Sequence, residues 1–510
     1  MAPKLTTLHL RPQKPFDAEY KLTLADNIPP GINSRYLFVY KAPDSQSGTA
    51  DWQKKLVDRL SKSLESFLQE PEAGVLGLPQ LLGKIYPDKD SGRLTLKVTK
   101  SSTVRFVVSH RTNVTYAQLR PDHGFPMRYL DGKSFATGLE NIPSPDRSGG
   151  FEAFSAQITF IVGGFVICVN KHHFLLDANS TGKLIQWWFK KARSWGTFEE
   201  DKNLELADPS LALTIHDKSS LTMETTVPAQ EHVDWKVVPN ARPTIFGLEL
   251  PPQAVMSIAK MLPFIKPKID SAVFHFTSAS LRQLHEDVSK HTQDKFSTHD
   301  AISALLWRCI SRARLFSAAN ESPCENSMLA LSVNGRRKLE PAMVDAYFGN
   351  AAFFAPTVVP LNILTSTGAA TLADVTLSIR ESINTKTTNA YLRSLLQLIA
   401  AQKRVTDVVN AFQVYMGYDV VMTSWEKLFG SIEDLDVGTG TFQRMRLPDG
   451  GSFDGLVMVM PAYGMRDECT PNQVGNYPGG VEVSIDLLFD HMASLKKDQE
   501  WTRYARWAEL

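Results

Sequence analysis

The sequence has few cysteines and no hydrophobic segment long enough to span a membrane. Its four cysteines stand far apart without a Cys-x-x-Cys pair, which argues against zinc knuckles and redox motifs and favours reduced thiols: Cys168, Cys309, Cys324 and Cys469. The most apolar stretch, residues 158–169, is shorter than the roughly 20 residues that a membrane-spanning helix needs. The N-terminal residues also lack the apolar run of a signal peptide. We therefore expect a cytoplasmic protein without a membrane span.

The sequence also lacks an excess of charge of either sign. Lysine and arginine total 55, and aspartate and glutamate total 54. No overall electric field would therefore hold a nucleic acid or an anionic membrane. We expect no nucleic-acid partner, and any polyanionic ligand must be bound by local groups.

Several motifs of catalysis and phosphate binding are absent. There is no Gly-x-Ser-x-Gly segment, residues 77–84 miss the P-loop spacing by one residue, and residues 437–441 lack the third glycine of a dinucleotide fingerprint. Zinc binding by His172, His173 and Asp177 would need a further ligand with recognisable spacing, which the sequence does not offer. We expect neither a metal site nor a bound cofactor.

The length and composition predict a folded protein of more than one domain. The chain has 510 residues, of which 43% are hydrophobic, and this size favours two or three domains. A polar, proline-containing stretch at about 197–243 shows little periodicity and indicates a linker. We predict an N-terminal domain over 1–200, a crossover linker over 201–243 and a C-terminal domain over 244–510, part of which, about 436–490, can pack with the first domain.

Hydrophobic periodicity predicts the main elements. Alternating residues indicate strands at 94–99 and 104–108 joined by a turn, and two buried strands within 157–170 meet at Gly163-Gly164 and lead to His172. A helix capped by Ser180 or Thr181 follows. Beyond the linker we predict a helix capped at Ser297 and running to about 313, helices at 372–383 and 390–412, a strand at 481–487 and a final short helix.

The segment His172-His173-Phe174-Leu175-Leu176-Asp177 carries residues suited to catalysis. A neutral imidazole can take a proton from a hydroxyl or amine that attacks a thioester, and can return it to the departing thiolate. Such a base contributes typically about 10²–10⁴-fold to the rate. Asp177 could orient the imidazole, or it could be a structural anion paired with an arginine, and the spacing does not separate these roles. A hydrogen-bonded core histidine is the alternative interpretation of His173.

Four segments of the chain, in matching order over about residues 150–490, resemble one known family. They are Gln157 to Asp177, Ser297 to Ala301 with the following Leu306-Trp307-Arg308 and Ala313-Arg314, Asn334-Gly335-Arg336 with Tyr347-Phe348-Gly349-Asn350, and Ser424-Trp425 with Asp436-Val437-Gly438-Thr439-Gly440. In this order they resemble the BAHD acyltransferases of plants and fungi, which move acyl groups from CoA thioesters to alcohols or amines.

The resemblance implies roles for single residues. His173, preceded by His172, matches the catalytic base of the family, and Asp177 matches an aspartate that the family uses structurally. Asp436, Gly438 and Gly440 match a second family motif, Asp-Phe-Gly-Trp-Gly, whose aspartate pairs with an arginine. Arg336 is the candidate for that arginine.

The second motif departs from the family pattern at two positions. Val437 stands where the family has phenylalanine, and Thr439 stands where it has tryptophan. If an aromatic residue there helps to hold the oxyanion, Thr439 would have to replace it through its hydroxyl, or the task moves elsewhere.

The resemblance also implies an α/β fold of two chloramphenicol-acetyltransferase-like domains, each a mixed β-sheet flanked by helices. An active-site tunnel would run between them, with CoA entering from one side and the acceptor from the other. Basic residues would meet the CoA phosphates, with these candidates: Arg308, Arg312, Arg336, Arg337 and Lys338. The predicted cofactor-binding residues are Ser297, Thr298, Arg312 and Asn350.

The function that follows from the resemblance is CoA-dependent transfer of an acyl group, acetyl first among the candidates, to a hydroxyl of a fungal-type secondary metabolite by a monomeric enzyme. A condensation-type enzyme that takes its acyl group from a carrier protein is one alternative, and N-acylation is another. A binding protein that keeps the fold without turnover is the alternative outside enzymes.

Overall fold

The computed structural model describes residues 4–43, 50–72, 75–138, 142–195, 216–221, 226–239, 244–245, 248–249, 269–315, 325–414, 417–429, 431–449, 453–461 and 479–508. Its first strands are β1 (Lys4–Leu10), β2 (Ala18–Lys21), β3 (Asn33–Lys41), β4 (Lys84–Pro87), β5 (Leu94–Val98), β6 (Val104–Thr115), β7 (Phe151–Glu152), β8 (Phe154–Val162) and β9 (Gly164–His172). The later strands are β10 (Trp235–Val237), β11 (Thr244–Ile245), β12 (Leu248–Glu249), β13 (Ile269–Phe276), β14 (Asn326–Asn334), β15 (Ala352–Pro360), β16 (Val408–Asn410), β17 (Val420–Ser424), β18 (Thr441–Arg446), β19 (Leu456–Pro461), β20 (Val481–Leu488) and β21 (Arg506–Trp507).

The helices among the described residues are mostly short. They are α1 (Ala50–Glu65), α2 (Gly132–Phe135), α3 (Ala178–Ser194), α4 (Ser278–Ser289), α5 (Thr298–Leu315), α6 (Leu361–Thr365), α7 (Ala369–Lys386), α8 (Asn389–Ala400), α9 (Phe489–Leu495) and α10 (Gln499–Tyr504). Strands and helices alternate without regular βαβ repetition, so the chain has a mixed α/β fold.

The chain divides into two compact units, each built from three separate segments. The first unit contains Met1–Glu224, Asn334–Ala352 and Lys427–Gly451, and the second contains Thr225–Val333, Phe353–Glu426 and Ser452–Leu510. Of the predicted linker, residues 216–221 fall in the first unit and 226–239 in the second, and its other residues lie outside the described ranges. The predicted domain limits stay a prediction.

The first unit is organised around a six-stranded sheet in the order β1-β6-β8-β9-β3-β18. Neighbours are antiparallel except for the parallel pair of β6 and β8. Helices α1 and α3 pack together, and the ring of Phe38 on β3 meets Phe189 of α3 edge-on at 5.5 Å. On the other face Val166 and Cys168 join a second apolar cluster that includes Phe135 of α2. The sheet is therefore mixed and flanked by helices, as the family resemblance implies.

The hairpin of β8 and β9 forms because its strands are apolar and its turn contains two glycines. Gly163 has a φ of +82°, a conformation that side chains rarely allow. A Cβ atom on Gly164 would lie 2.7 Å from the carbonyl oxygen of Tyr40. Every residue of β9 is buried, so the predicted pair of core strands leading to His172 is confirmed.

The strands predicted at 94–99 and 104–108 are confirmed as β5 and β6, which a turn joins, and they lie in different sheets. Two other predictions for local structure need correction. The helix predicted over 390–412 ends at Ala400, since Val408 and Val409 form a short strand with β10. The final short helix is in fact two helices, α9 and α10, followed by β21.

The second unit holds a seven-stranded sheet in the order β15-β14-β17-β19-β20-β13-β21. Helix α5 packs against α4, α7 and α9, and its apolar stripe enters a core that also includes Trp501. The predicted capping of this helix is confirmed, because the backbone N–H of Asp300 donates to Ser297 Oγ at 3.2 Å and the N–H of Ser297 donates to the Asp300 carboxylate at 2.7 Å. The second unit is again a mixed sheet flanked by helices.

Candidate active site

The loop that carries His173 joins the end of β9 to the start of α3 within the first unit. Strand β9 lies between β8 and β3 and ends at His172, and a turn over 173–175 follows. The backbone N–H of His172 donates to Ala153 O at 2.9 Å, and the N–H of His173 donates to Ile32 O at 2.8 Å. The loop is therefore tied to the segments on both sides, and a residue at its tip has a fixed position.

His173 at this tip is partly exposed, as is Phe174 after it, whereas His172 before it is buried. Nδ1 of His173 is itself buried and has no hydrogen-bond partner of good geometry within the described ranges. Burial of the ring, followed by the charge of Lys171, holds the pKa of His173 well below its ordinary value. The imidazole is therefore neutral near pH 7, the form that a general base requires.

His172 is held as a core residue. Its Nδ1 accepts a hydrogen bond from the backbone N–H of Phe174 at 3.2 Å, and its ring packs at 5.3 Å from that of Phe151 and 4.7 Å from that of Phe174. Burial and the charge of Lys171 lower its pKa to about 3. The neutral ring of His172 therefore stabilises the loop through its hydrogen bond with Phe174 and its packing against Phe151 and Phe174.

Asp177 is a structural anion at the N-terminus of α3. Its carboxylate accepts the backbone N–H of Ser180 at 2.9 Å and that of Ala351 at 2.8 Å, and Arg336 donates to both oxygens at 2.7 and 3.1 Å. Burial opposes ionisation, yet Arg336 and these donors together hold the pKa of Asp177 below its ordinary value. The sequence left two roles open, and this geometry corresponds to the structural one. It also corrects the predicted helix cap, which is Asp177 and neither Ser180 nor Thr181.

The buried guanidinium of Arg336 binds residues from separate segments of the first unit, at 177–180 and 347–349. Besides the ion pair with Asp177, it donates to Ser180 Oγ at 2.8 Å, Tyr347 O at 3.0 Å and Gly349 O at 3.1 Å. The predicted pairing of Arg336 with Asp436 is therefore wrong. Asp436 instead lies 3.9 Å from Arg193 and accepts the backbone N–H of Gly438 at 2.8 Å.

Asn350 holds the backbone of the loop through its side-chain amide. Its Nδ2 donates to the carbonyl oxygens of His173 at 3.1 Å and Phe174 at 2.9 Å, and to the carboxylate of Asp26 at 2.9 Å. Asp26 also accepts from the backbone N–H of Thr23, and burial raises its pKa to about 6. All donor hydrogens of this amide are used inside the fold, which argues for a positioning role. The predicted contact of Asn350 with CoA stays a prediction.

Sequence analysis missed Asp26. The Thr-x-x-Asp spacing of Thr23 and Asp26 indicates a capped turn, and the structure has one there. Nothing in that spacing points to a partner 324 residues later in the chain. The sequence therefore indicates the capped turn at Thr23 and Asp26, but it does not indicate the contact of Asp26 with Asn350.

The second motif lies at the far end of β9 from His173. A Cβ on Gly440, whose φ is +69°, would lie 2.7 Å from the ring of Phe165 and 2.8 Å from Lys41 O. Phe165 is the second residue of β9 and His172 the last, which separates them by about 23 Å at roughly 3.3 Å per residue. Thr439, next to Gly440, is therefore too distant to stabilise an oxyanion formed beside His173, and that predicted role is wrong.

Gly438 has a structural role at the same end of the sheet. Its φ is +82°, and its carbonyl oxygen accepts from Arg59 of α1 at 3.3 Å. The segment 436–440 therefore joins α1, α3 and the start of β9.

The basic residues predicted for the CoA phosphates are mostly engaged by protein groups. In the second unit Arg308 is buried and paired with Glu500 at 3.2 Å, and Arg312 is paired with Asp498 at 2.9 Å and Glu500 at 2.7 Å. In the first unit Arg337 is exposed and paired with Asp345 at 3.1 Å. Which of them meets CoA stays a prediction.

The other predicted CoA contacts lie at the start of α5 and at an exposed loop. Ser297 Oγ caps the helix and accepts from Arg380 at 2.9 Å, and Thr298 is the first residue of the helix. Lys338 is exposed in the first unit. Their contact with CoA remains a prediction as well.

The part of the chain that the structure describes contains neither a candidate metal site nor a candidate membrane-spanning helix. Within the ranges given above, no group of three or more His, Cys, Asp or Glu side chains is arranged to hold a metal ion. No helix in these ranges is both long and apolar enough to cross a membrane.

Comparison with known proteins matches this arrangement to one family. The model of the Transferase family matches residues 9–502. An eremophilane O-acetyltransferase of Penicillium roqueforti is 25% identical over 512 residues, covering 95% of this chain and 98% of the relative. Hydroxycinnamoyltransferase 1 of Oryza sativa is 26% identical over 367 residues, covering 70% of this chain and 71% of the relative.

A solved structure has the same fold. F. sporotrichioides TRI101, complexed with coenzyme A and T-2, superposes with a TM-score of 0.71 at 20% identity, covering 97% of this chain and 100% of its own. At this identity the likeness concerns the fold alone. The match of the family model over nearly the whole chain shows that the protein belongs to the Transferase family of BAHD acyltransferases.

Proposed function

We propose that this acyltransferase moves an acetyl group from acetyl-CoA to a hydroxyl of a small secondary metabolite, with His173 as the general base. The observation that carries the proposal is the partly exposed, neutral imidazole of His173 at the end of a buried strand. Arg336 binds Asp177 and the side chain of Asn350 binds the carbonyl oxygens of His173 and Phe174, so both ends of the loop are held in place. Such rigidity is what positioning of a base requires.

The reaction follows from the chemistry of the imidazole. A ring nitrogen of His173 takes the proton of the acceptor hydroxyl while the oxygen attacks the thioester carbonyl. The tetrahedral oxyanion then collapses, the carbon–sulfur bond breaks, and the imidazolium returns the proton to the CoA thiolate. Asp177 does not take part in this proton transfer, because its carboxylate is occupied by Arg336 and two backbone N–H groups.

Relatives support the choice of donor and acceptor. Names of two curated relatives describe O-acetylation of an eremophilane, and structures of TRI101 contain CoA with T-2 or deoxynivalenol. We infer a hydroxylated metabolite of comparable size as acceptor. A cytoplasmic monomer is part of the same proposal.

The test is thiol release from acetyl-CoA across a panel of terpenoid, alkaloid and polyketide alcohols, with mass spectrometry of the products. Wild type should release thiol and form an acetylated product, and His173→Ala should lose at least about 10²-fold in kcat/KM. Thr439→Ala is the matched control, since Thr439 lies at the other end of β9.

Equal activity of the wild type and His173→Ala would remove His173 from the mechanism. If neither releases thiol with any alcohol, amines and an acyl-carrier protein are tested next as acceptor and donor. Activity with the carrier protein alone would refute the CoA donor. Binding of acetyl-CoA or of one of the alcohols without any thiol release would support a binding protein.

A further inference from the structure

Lys171 is a buried lysine two residues before His173, and the proposed reaction does not use it. It is the eighth residue of β9, its side chain is fully buried, and its backbone is paired with Ser34 on β3 and Phe154 on β8. Burying an ammonium in a sheet costs free energy that a methionine of similar length would not. A buried cation at this position therefore calls for a function.

The ammonium of Lys171 closes the loop that carries His173. Nζ donates to the carbonyl oxygen of Leu176, which directly precedes the N-cap residue Asp177. One side chain thus connects the end of strand β9 with the residue before the N-cap of α3. The segment between these two points contains His172 and His173, so this bond fixes the length of the loop independently of its backbone hydrogen bonds.

The charges around Lys171 act on the histidines in opposite directions. On β3, Tyr36 is a buried phenol whose pKa is raised, and it carries no charge near neutral pH. At the N-cap of α3, Asp177 attracts the ammonium and offsets part of its effect on the pKa of His173, although the same carboxylate is paired with Arg336. The positive charge of Lys171 accordingly acts on both His172 and His173 and disfavours their protonation.

We propose that Lys171 is a positioning residue of the acyl-transfer site, whose buried ammonium closes the His173 loop through the carbonyl oxygen of Leu176 and so sets the position of the imidazole. The same positive charge adds to burial, which is the larger cause, in disfavouring protonation of His173. This inference rests on the proposed role of His173 as general base. Its consequence is that the enzyme retains activity below the pH at which an ordinary histidine base is protonated.

The sign of the expected pH dependence follows from the two groups. Burial lowers the pKa of Lys171 to about 7, so it is charged at pH 5–6, the range in which an ordinary histidine would gain a proton. A neighbouring positive charge lowers the pKa of an imidazole, and removal of that charge raises it. The acid limb of kcat/KM should therefore lie below pH 6.5 in the wild type and move upward by about one pH unit in Lys171→Met.

The experiment measures kcat/KM for thiol release between pH 5 and 9 in wild type, Lys171→Met and Lys171→Gln. At pH values on the acid limb, Lys171→Met should lose up to about tenfold more activity relative to the wild type than at pH 8, because a shift of one pH unit there corresponds to tenfold. Lys171→Gln keeps a donor without charge, so it should recover kcat at pH 8 but keep the shifted limb. Lys54→Met, which removes an exposed lysine of α1, is the matched control and should follow the wild type.

An unshifted acid limb in folded Lys171→Met overturns the proposal, because a merely structural lysine would lower kcat equally at every pH. If neither variant folds, the wild-type profile decides, since an acid limb at or above pH 6.5 contradicts an effect of the ammonium on His173. His173→Ala separates this failure from failure of the proposed function. An inactive His173→Ala beside an unshifted Lys171→Met refutes only the role of Lys171, and an active His173→Ala refutes the general base itself.

Discussion

Replacement of Arg336 by methionine should destabilise the first unit strongly, and more at alkaline than at acidic pH. The substitution leaves the carboxylate of Asp177 buried, with only the backbone N–H groups of Ser180 and Ala351 as donors. Removing one partner of a buried ion pair costs about 3–5 kcal/mol. At roughly 2–4 °C per kcal/mol for a domain of this size, Tm should fall by about 10 °C at pH 8.

The pH dependence distinguishes an ion pair from simple packing. In the wild type the pKa of Asp177 is held low, so the stability it contributes is present above its unfolded pKa of about 4 and is lost only as the pH falls through the folded pKa. Without Arg336, burial raises the pKa of Asp177, and the variant loses stability as the pH rises through that value. The difference in Tm between wild type and Arg336→Met should therefore be several degrees smaller at pH 5 than at pH 8.

Differential scanning calorimetry at pH 5, 6.5 and 8 tests this expectation. Arg337→Met is the matched control, because it removes the adjacent arginine from an exposed pair with Asp345 and should shift Tm by no more than about 2 °C. The double variant Asp177→Asn/Arg336→Met should cost less than the sum of the single variants. A Tm within 2 °C of the wild type, or a decrease that does not depend on pH, would refute the interpretation of Asp177 and Arg336 as a stabilising buried pair.

Three further predictions concern the loop and the second motif. Asn350→Ala removes the donor shared by His173 O, Phe174 O and Asp26, so kcat should fall about tenfold or more with KM for acetyl-CoA unchanged; a raised KM with unchanged kcat would instead indicate CoA binding by Asn350. Gly440→Ala forces a side chain into a positive φ against Phe165, and calorimetry should show a loss of about 1–3 kcal/mol while kcat of the folded enzyme stays unchanged. Thr439→Ala should leave kcat within about twofold of the wild type, and a larger loss would contradict the distance from His173 along β9.

Periodicity and spacing predicted the elements that depend on neighbouring residues. The β8–β9 hairpin and the cap of α5 at Ser297 both follow from patterns within some 20 residues. Such patterns are readable because strand and helix periods and capping hydrogen bonds are local.

The errors arose where a side chain has a distant partner. Asp177 takes the cap that the sequence assigned to Ser180 or Thr181, because Arg336 and Ala351 lock its carboxylate at the start of α3. Arg336 was assigned to Asp436, which also has the matching charge. Asp177 and Asp436 carry the same charge, so only the three-dimensional structure shows which of them pairs with Arg336. The contact of Asp26 with Asn350 could not be predicted either, because the two residues are 324 positions apart in the sequence.

The segmented first unit has a consequence for how the protein folds during synthesis. Asp177 leaves the ribosome 159 residues before its counter-ion Arg336, a delay of roughly 8–30 s at 5–20 residues per second. The edge strand β18 is made still later, so the six-stranded sheet stays open at β3 throughout that time. Completion of the first unit must therefore wait for translation of most of the second, and a nascent chain halted before residue 334 carries Asp177 without its counter-ion, next to the loop that carries His173.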